Sequence, residues 1–529
     1  MVWNRLKSFF GASETGYGTP HNERSRAVTD AAWNPPHLSG DGHALGARDF
    51  VEARIAELVR RDGFAAGALE HHTTMLVGPR GLSLSYQPNA ERLGISQEQA
   101  RELARAVESR WKEYTSDSRN LVDASGRHNW VALQTQAARS FLITGEILAV
   151  TKSIKNRGPD TCMTAVHLIS PNRLADPDNA HSMDDVRAGI RRDKNGRPTE
   201  YFIWDTNPRD RLNVRGRNKA VGVKPHGSTG RKLVHHHFDP LDPEQTRGVS
   251  LIAAAAEAAK RQGDLSDASL RAAIAQTAFA MIVKSELNYD QAMAVLGGST
   301  GESGAGFGDV LAEWQGVKAG FYGNKKTLDA AGTKTIHLLP NEDLEYKTAA
   351  GINADYEPFA RTLNREVARG AGGMSLEQLT GDYSQLSYSG GQLSLGMEQG
   401  HQGGRRNRVL GAFCQGVFEC WLEELFIREP DLLPGNVSFY ENRAALCNST
   451  WNGGHRLHPD PVKQARAAES RIENRITTRA WECEQLGLDF DDVAEQLRRE
   501  QEMLEGIADP KVNRSAVVEM LDSDEQEAA

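Results

Sequence analysis

The sequence predicts an α+β protein built from several subdomains, and three observations carry that reading. At 529 residues the chain exceeds what one ordinary core accommodates. Helical stripes and half-buried strands alternate over the first half, whereas residues 461–508 read as helices alone. Glycine-rich stretches without periodicity separate the periodic ones. A hydrophobic content of 39% with 25% charged residues is ordinary for a folded globular protein.

Each element follows in order. Residues 1–46 are rich in Gly, Ser, His and Pro and read as an extended arm, whose Trp3, Phe9, Phe10 and Trp33 are expected to dock on a neighbour. Residues 47–246 read as an α/β unit. Phe50, Arg54, Leu58 and Val59 mark one amphipathic helix, and Asp62-Gly63-Phe64 starts a second that runs to about Leu76. Leu82 to Tyr86 alternates like a half-buried strand. Phe141 to Val150 reads as a helix end, Gly145, then a strand. Asn195-Gly196 marks a hairpin between Ile190 and the Tyr201–Trp204 run. Residues 247–286 are helical, with Leu270, Ile274, Thr277 and Met281 in one stripe and alanines thinning the rest. Residues 287–354 lose periodicity and turn strand-like from Thr333 to Leu339. In 355–375, Pro358 is read as opening a helix that stops at Gly370, Gly372 and Gly373. Residues 376–392 form a polar, aromatic, almost uncharged loop. A glycine-interrupted helix from about Gly391 to Arg428 follows, within a segment 393–454. In 455–510, Val462, Ala465, Ala468, Ile472 and Ile476 make one stripe, and Val493, Leu497, Leu504 and Ile507 another, with Asp489 as its N-cap. Residues 511–529 are an acidic tail.

Charge is uneven. Residues 481–529 hold 15 acidic and 4 basic side chains, whereas the rest of the chain, with 58 basic and 56 acidic, is almost balanced. Residues 209–232 carry eight basic side chains against Asp210 alone. That stretch reads first as a solvated loop and second as a phosphate contact through Arg209, Arg211, Arg215, Arg217 and Lys219. The five cysteines are odd in number and lack any Cys-x-x-Cys spacing, so they read as reduced, mostly buried thiols of a cytosolic protein. No apolar run is long enough to span a bilayer, and the basic start of the chain lacks the apolar block of a secretory leader.

The motifs that tempt a catalytic reading fail in detail. Gly297 to Gly308 has no Lys at phosphate-loop spacing, and Gly320 to Thr327 misses the spacing too. His235, His236 and His237 are consecutive, so on a strand they alternate faces and cannot share one ion. No metal site, cofactor or active site is expected.

Eight landmarks in order carry a resemblance. They include Arg61-Asp62-Gly63-Phe64-Ala65-Ala66-Gly67-Ala68, Leu168-Ile169-Ser170-Pro171-Asn172-Arg173-Leu174 and Gln245-Thr246-Arg247-Gly248-Val249-Ser250. The most specific are Glu357-Pro358-Phe359, Leu379 to Tyr388, and Phe413-Cys414-Gln415 to Trp421-Leu422-Glu423-Glu424. From about Arg54 to Glu502 the chain resembles the lambda-type portal proteins of tailed phages. It departs from them at Gly373-Met374, where Val-Pro is frequent, at Gly390-Gly391-Gln392, where a segment bearing Arg is frequent, and at Gly416, where Pro is usual.

The resemblance implies a non-enzymatic, multi-subdomain portal fold assembling as a ring, dodecameric in the virion, at one capsid vertex. It implies a wing at 47–246, stem helices in 247–286 and 355–375, a clip at 287–354, a tunnel loop at 376–392 and a crown at 455–510. The implied partners are other copies of the chain, double-stranded DNA without sequence preference, the terminase large subunit, a head-completion adaptor, and the major capsid and scaffolding proteins, with no membrane. Assembly would occur in the host bacterial cytoplasm. The implied DNA-channel residues are Asp382, Tyr383, Ser384, Gln385, Leu386, Ser387 and Tyr388. Duplex DNA carries a charge every ~1.7 Å. A nearly uncharged loop would touch it weakly and without reading sequence. The alternatives are a head–tail connector or interaction scaffold that passes no DNA, and a nucleotide-using enzyme built on Gly297 to Gly308.

Overall fold

The computed structural model describes residues 37–155, 157–158, 161–178, 185–208, 219–278, 282–285, 329–330, 333–334, 342–345, 352–435, 437–453, 460–488 and 490–504, and between 272 and 355 the backbone alone. The chain divides into two units, one formed by residues up to 260 with those from 364 onward, the other by 261–363.

The first unit starts with α1 (Gly40–Arg61), capped by the Ser39 hydroxyl, which accepts from the Gly42 N–H at 3.2 Å. This helix begins inside the predicted arm. Of the predicted stripe, Leu58 and Val59 pack half-buried against the core, but Phe50 and Arg54 do not. Phe50 is 50% exposed under the Arg54 guanidinium, while Asp41, Ala44, Arg48, Glu52 and Ile55 are buried. Over its first three turns the buried stripe is mostly ionic and shows no apolar period, which is why the sequence pattern misplaced Phe50 and Arg54. Asp62 ends α1 and caps α2 (Gly63–Val77), accepting from the Ala65 N–H at 2.7 Å.

An aromatic cluster centred on Trp111 holds the unit together. Trp111 lies on α3 (Gln97–Ser116), and Trp130 opens α4 (Trp130–Thr144). Phe418 and Trp421 lie on α9 (Ala412–Arg428). Ring centroids sit 5.0 Å from Trp111 to Trp421 and 5.5 Å to both Trp130 and Phe418. Such edge-to-face contacts add to the large apolar area these rings bury. Strand β1 (Ser83–Tyr86) pairs antiparallel with β13 (Ser449–Asn452), which sets Leu84 opposite Trp451 at the same cluster. The predicted Leu82–Tyr86 strand and the helix of Phe413 and Trp421 are therefore the two sides of one core.

Two antiparallel sheets flank it. One has the order β3 (Thr164–Ile169), β2 (Glu146–Ser153), β8 (Val234–Phe238). The other runs β4 (Val186–Arg187), β5 (Ile190–Arg192), β6 (Pro198–Trp204), β7 (Ala220–Val223). The Asn195-Gly196 hairpin forms as read, with Ile190 opposite Tyr201 and Gly196 at φ 79°. Leu148, Ile169, Ile190, Tyr201, Ile203 and Val234 form a second, smaller core between the sheets. The three histidines of β8 alternate as expected: His235, fully buried under α9, shares a face with His237, their rings 6.5 Å apart, while His236 lies on the other face with its ring 5.6 Å from that of Tyr201. Gly416 faces His235. A β-carbon there would lie 2.7 Å from its Nδ1, so a larger residue on this turn of α9 would displace the imidazole. All five cysteines are free, and Cys414, Cys420 and Cys447 are buried.

Gly145, at φ 83°, ends α4 and starts β2, and Gly248 crosses it. A β-carbon on Gly248 would lie 2.2 Å from the Gly145 carbonyl oxygen, and one on Gly145 would lie 2.4 Å from the Val249 backbone. The two glycines let main chain meet main chain. Gly248→Ala is expected to destabilise the protein by about 3 kcal/mol, because neither backbone can yield. Urea denaturation of variant and parent measures this, and a loss below ~1 kcal/mol would show that the crossing relaxes.

In the second unit, β9 (Ile282–Ser285) pairs antiparallel with β12 (Glu342–Glu345), and β10 (Asp329–Ala330) with β11 (Thr333–Lys334). Gly297 to Gly308 lies outside the described residues, as does most of the predicted Thr333–Leu339 strand. The division between the units falls within helices α5 (Ala256–Ala278) and α6 (Ile352–Gly370). Pro358 does not open α6 but lies six residues inside it. An interior proline removes one bond to the carbonyl four residues back, and the flanking turns carry the helix through.

Candidate nucleic-acid interface

The segment singled out as a channel loop is an excursion between two helices. Gly372 and Gly373, at φ 96° and 89°, stop the chain after α6. The one-turn α7 (Leu376–Thr380) then opens on a reciprocal cap between Ser375 and Gln378 and closes at Gly381, φ 72°. Asp382 turns the chain by accepting from the Ser384 N–H at 3.0 Å. Ser387 caps α8 (Tyr388–Arg405), accepting from the Gly390 N–H at 3.2 Å. The loop proper is therefore 381–387. It is shorter at both ends than 376–392, and α8 starts three residues before the predicted Gly391. Tyr388 belongs to the helix. The signal was present as Ser387, an N-cap residue, but the glycines behind it masked it.

The loop points its chemistry outward. Tyr383 is 57% and Tyr388 48% exposed, and Asp382, Ser384, Gln385 and Ser387 are exposed too. Leu386 folds back over the first turn of α8 and is half-buried. Gln392 donates to the Tyr388 hydroxyl at 2.7 Å, and the Lys463 ammonium stands 5.4 Å from the Tyr388 ring centre. Asp382 is the one ionisable acid or base in the loop apart from the tyrosine phenols. Its remaining groups are hydroxyls and an amide, which contact a phosphate or sugar without holding it.

Both legs of the excursion are fixed to α2. The fully buried His72 places Nε2 against the Ala371 carbonyl on the incoming leg. Its Nδ1 accepts from the Gln402 amide at 2.7 Å on the outgoing leg. The Ala371 oxygen can only accept, so Nε2 carries the proton and Nδ1 is free to accept. Burial drives the imidazole down to about 4, against a smaller opposing pull from the Ala371 hydrogen bond, so it is neutral near pH 7. His71 meets the buried Glu398 carboxylate at 2.5 Å. Arg405 donates to the Gly372 carbonyl at 2.9 Å, and Arg406 to the Leu76 and Met75 carbonyls at the end of α2. Beyond it, Arg406–Gly411 is a π-helical turn that leads into α9. This clamp has no signature in the local sequence pattern beyond a trace: His71-His72 within an apolar helix, and Glu398 and Gln402 one turn apart on a helix whose other charged residue is Arg405 at its end.

A second buried cluster explains the landmark at Gln245 to Ser250. Arg247, 1% exposed, forks onto the fully buried Glu146 carboxylate at 2.8 Å from both Nε and Nη2. It also donates to the carbonyls of Pro171, Leu174 and Ala188 at 2.8–2.9 Å. Arg48 adds a longer contact to Glu146 at 3.3 Å and pairs with Glu52 at 2.5 Å. Burial alone would push Glu146 up. Arg247, then Arg48, reverse this and hold the carboxyl well below the usual carboxylate range. Burial pushes Glu52 up to about 7, with Arg48 opposing.

Of the basic loop, Arg209, Arg211, Arg215 and Arg217 lie outside the described residues. Lys219 is exposed at the start of β7, where its carbonyl accepts from the Asp205 N–H at 3.2 Å. The Asp489 cap also falls outside. Among the described residues no group of three or more His, Cys, Asp or Glu could hold a metal ion, and no helix is long and apolar enough to cross a membrane.

Residues 27–401 match the family model described as phage portal protein, lambda family. The chain is 30% identical over 474 residues to the portal protein of Escherichia phage N15, covering 89% of this chain and 87% of that one. It is 30% identical over 471 residues to portal protein B of Escherichia phage lambda, covering 89% and 86%. A chain from the neck of an empty GTA particle is 13% identical, with a TM-score of 0.44 over 82% of this chain and 93% of that one. The chain belongs to the lambda family of phage portal proteins.

Proposed function

We propose that twelve copies of this chain form a ring at one capsid vertex, and that double-stranded DNA passes through its central channel during packaging and ejection. Family membership supports the reading, since a portal is a structural component of the virion. The observation that carries the DNA contact is the mounting of the 381–387 loop: exposed, nearly uncharged, and bonded through both legs to α2. In this reading 47–246 is the wing, α5 and α6 the stem and 287–354 the clip. The loop lines the narrowest part of the channel, and 455–510 is the crown. Movement of DNA would draw on a separate terminase motor docked at the clip. An adaptor and the capsid and scaffolding proteins would bind the outer surfaces. The chain itself is read as non-enzymatic, in preference to the phosphate-loop alternative at Gly297 to Gly308, which lacks a lysine at the required spacing.

Two measurements test this. Class averages of the purified protein should show rings with a central hole, and compact monomers under every assembly condition would overturn the ring. Deleting 382–386 keeps the Ser387 cap and so keeps α8. Rings and capsids should still form, with fewer particles holding a full genome. Normal DNA content in those particles would remove the loop from the channel.

A further inference from the structure

The helices after residue 460 have no core of their own. They are α10 (Pro461–Glu473), α11 (Arg479–Gln485) and α12 (Phe490–Leu504). None of the described residues from 460 to 504 is buried. Val462 is 52% exposed, Ile476 71%, Leu497 54%, Met503 74% and Leu504 54%. Amphipathic helices this short do not persist in water on propensity alone and need their apolar faces covered. Within the chain, α12 is held to α3 by surface ion pairs, Lys112 to Asp492 at 2.7 Å and Arg105 to Asp491 at 3.8 Å, which cover no apolar area.

The charges indicate what covers these faces. Residues 461–479 carry five basic and two acidic side chains, whereas 481–504 carry eight acidic and two basic. One flank is therefore cationic and the next anionic, and each also bears exposed apolar residues. Arg466 is exposed one turn from Val462, and Arg475 is exposed beside Ile476. Glu500 is exposed between Leu497 and Leu504 on the same face of α12. Within one chain the cationic flank already pairs with an acidic side chain of α11, through a bidentate Arg471–Glu482 contact with both bonds at 2.8 Å. A ring interface is heterologous, so one surface of each copy meets a different surface of the next.

We propose that the occupant is a second copy of this chain, the cationic 461–479 flank of one subunit seating against the anionic α12 face of its neighbour. This rests on the ring reading above. The full-length protein tests it in four forms: the parent, Arg466→Glu with Arg475→Glu, Glu500→Lys with Glu502→Lys, and all four changes in one chain. Mass photometry at low and high salt reads the oligomer, and circular dichroism confirms the helices. Each reversed variant alone places like charges across the contact and should need about tenfold more protein, or more, to half-assemble. The four-change chain should recover. The two reversed variants mixed should co-assemble, because one then carries negative charge at both contact positions and the other positive charge at both. If both variants assemble like the parent at both salts, the apolar faces are covered by something else and the inference fails. It also fails if folded variants recover neither in combination nor when mixed. A parent that never forms rings would instead overturn the reading on which the inference rests.

Discussion

Replacing Arg247 with alanine should remove about 3–5 kcal/mol of stability, because it strands a buried carboxylate without its main partner. The arginine serves both Glu146 oxygens and the carbonyls of Pro171, Leu174 and Ala188, so five acceptors lose a charged donor together, and Glu146 Oε1 keeps the Gly248 N–H. Arg48 remains, but its 3.3 Å contact reaches one oxygen only and is shared with Glu52. The loss should be largest above neutral pH and shrink toward pH 5, since the stranded Glu146 can then take up a proton. Arg247→Lys should recover less than half, because an ammonium lacks the planar fork. Denaturant melts of the three proteins at pH 7.5 and 5 decide it. An alanine variant within ~1 kcal/mol of the parent would show that the cluster contributes little.

Acid should loosen the His72 clamp before it unfolds the molecule. The imidazole is held down to about 4 against an ordinary value near 6.5. A depressed histidine contributes stability that is complete above pH 6.5 and is lost as pH falls toward 4. Going from pH 7 to 4.5 should therefore cost about 2 kcal/mol through this residue. His235, lowered to about 3 by burial, adds a loss of the same sign. Glu52, raised to about 7, acts oppositely: its contribution is present below pH 4.5 and is lost as pH rises through 7. The clean measurement is thus a difference. Parent and His72→Gln are each unfolded by urea at pH 7 and 4.5. The glutamine variant should lose about 2 kcal/mol less between the two, and identical slopes would mean that His72 is not held neutral.

Much of the architecture is legible in the sequence where local chemistry and burial agree. Asp62 before Gly63 caps a helix, Asn195-Gly196 turns a hairpin, and the Phe413 to Trp421 face is core; each needs only a few neighbouring residues. The failures have one physical source. Arg48 and Glu52 are buried because Glu146 and Arg247 lie across from them, 94 or more positions away in sequence. His72 is buried because Ala371 and Gln402 lie across from it. Polar groups look like surface until their partners are known. The 381–387 loop is an intermediate case. Its composition was plain, but its ends were not, because the Ser387 cap precedes two glycines that argue against a helix.

The six glycines of α8 have a mechanical consequence. A β-carbon at Gly396, Gly400 or Gly403 would meet nothing within 4 Å, so crowding inside the subunit does not account for them. Each costs a helix about 1 kcal/mol relative to alanine. The rod is therefore brittle toward its free end and riveted at the other, where Glu398, Gln402 and Arg405 are seated. Pushed sideways, such a rod gives way by uncoiling from the tip. Every residue released lengthens the slack by the difference between about 1.5 Å and about 3.3 Å. The 381–387 loop thus hangs on a line of adjustable length, paid out against a fixed post and drawn back when the load is gone.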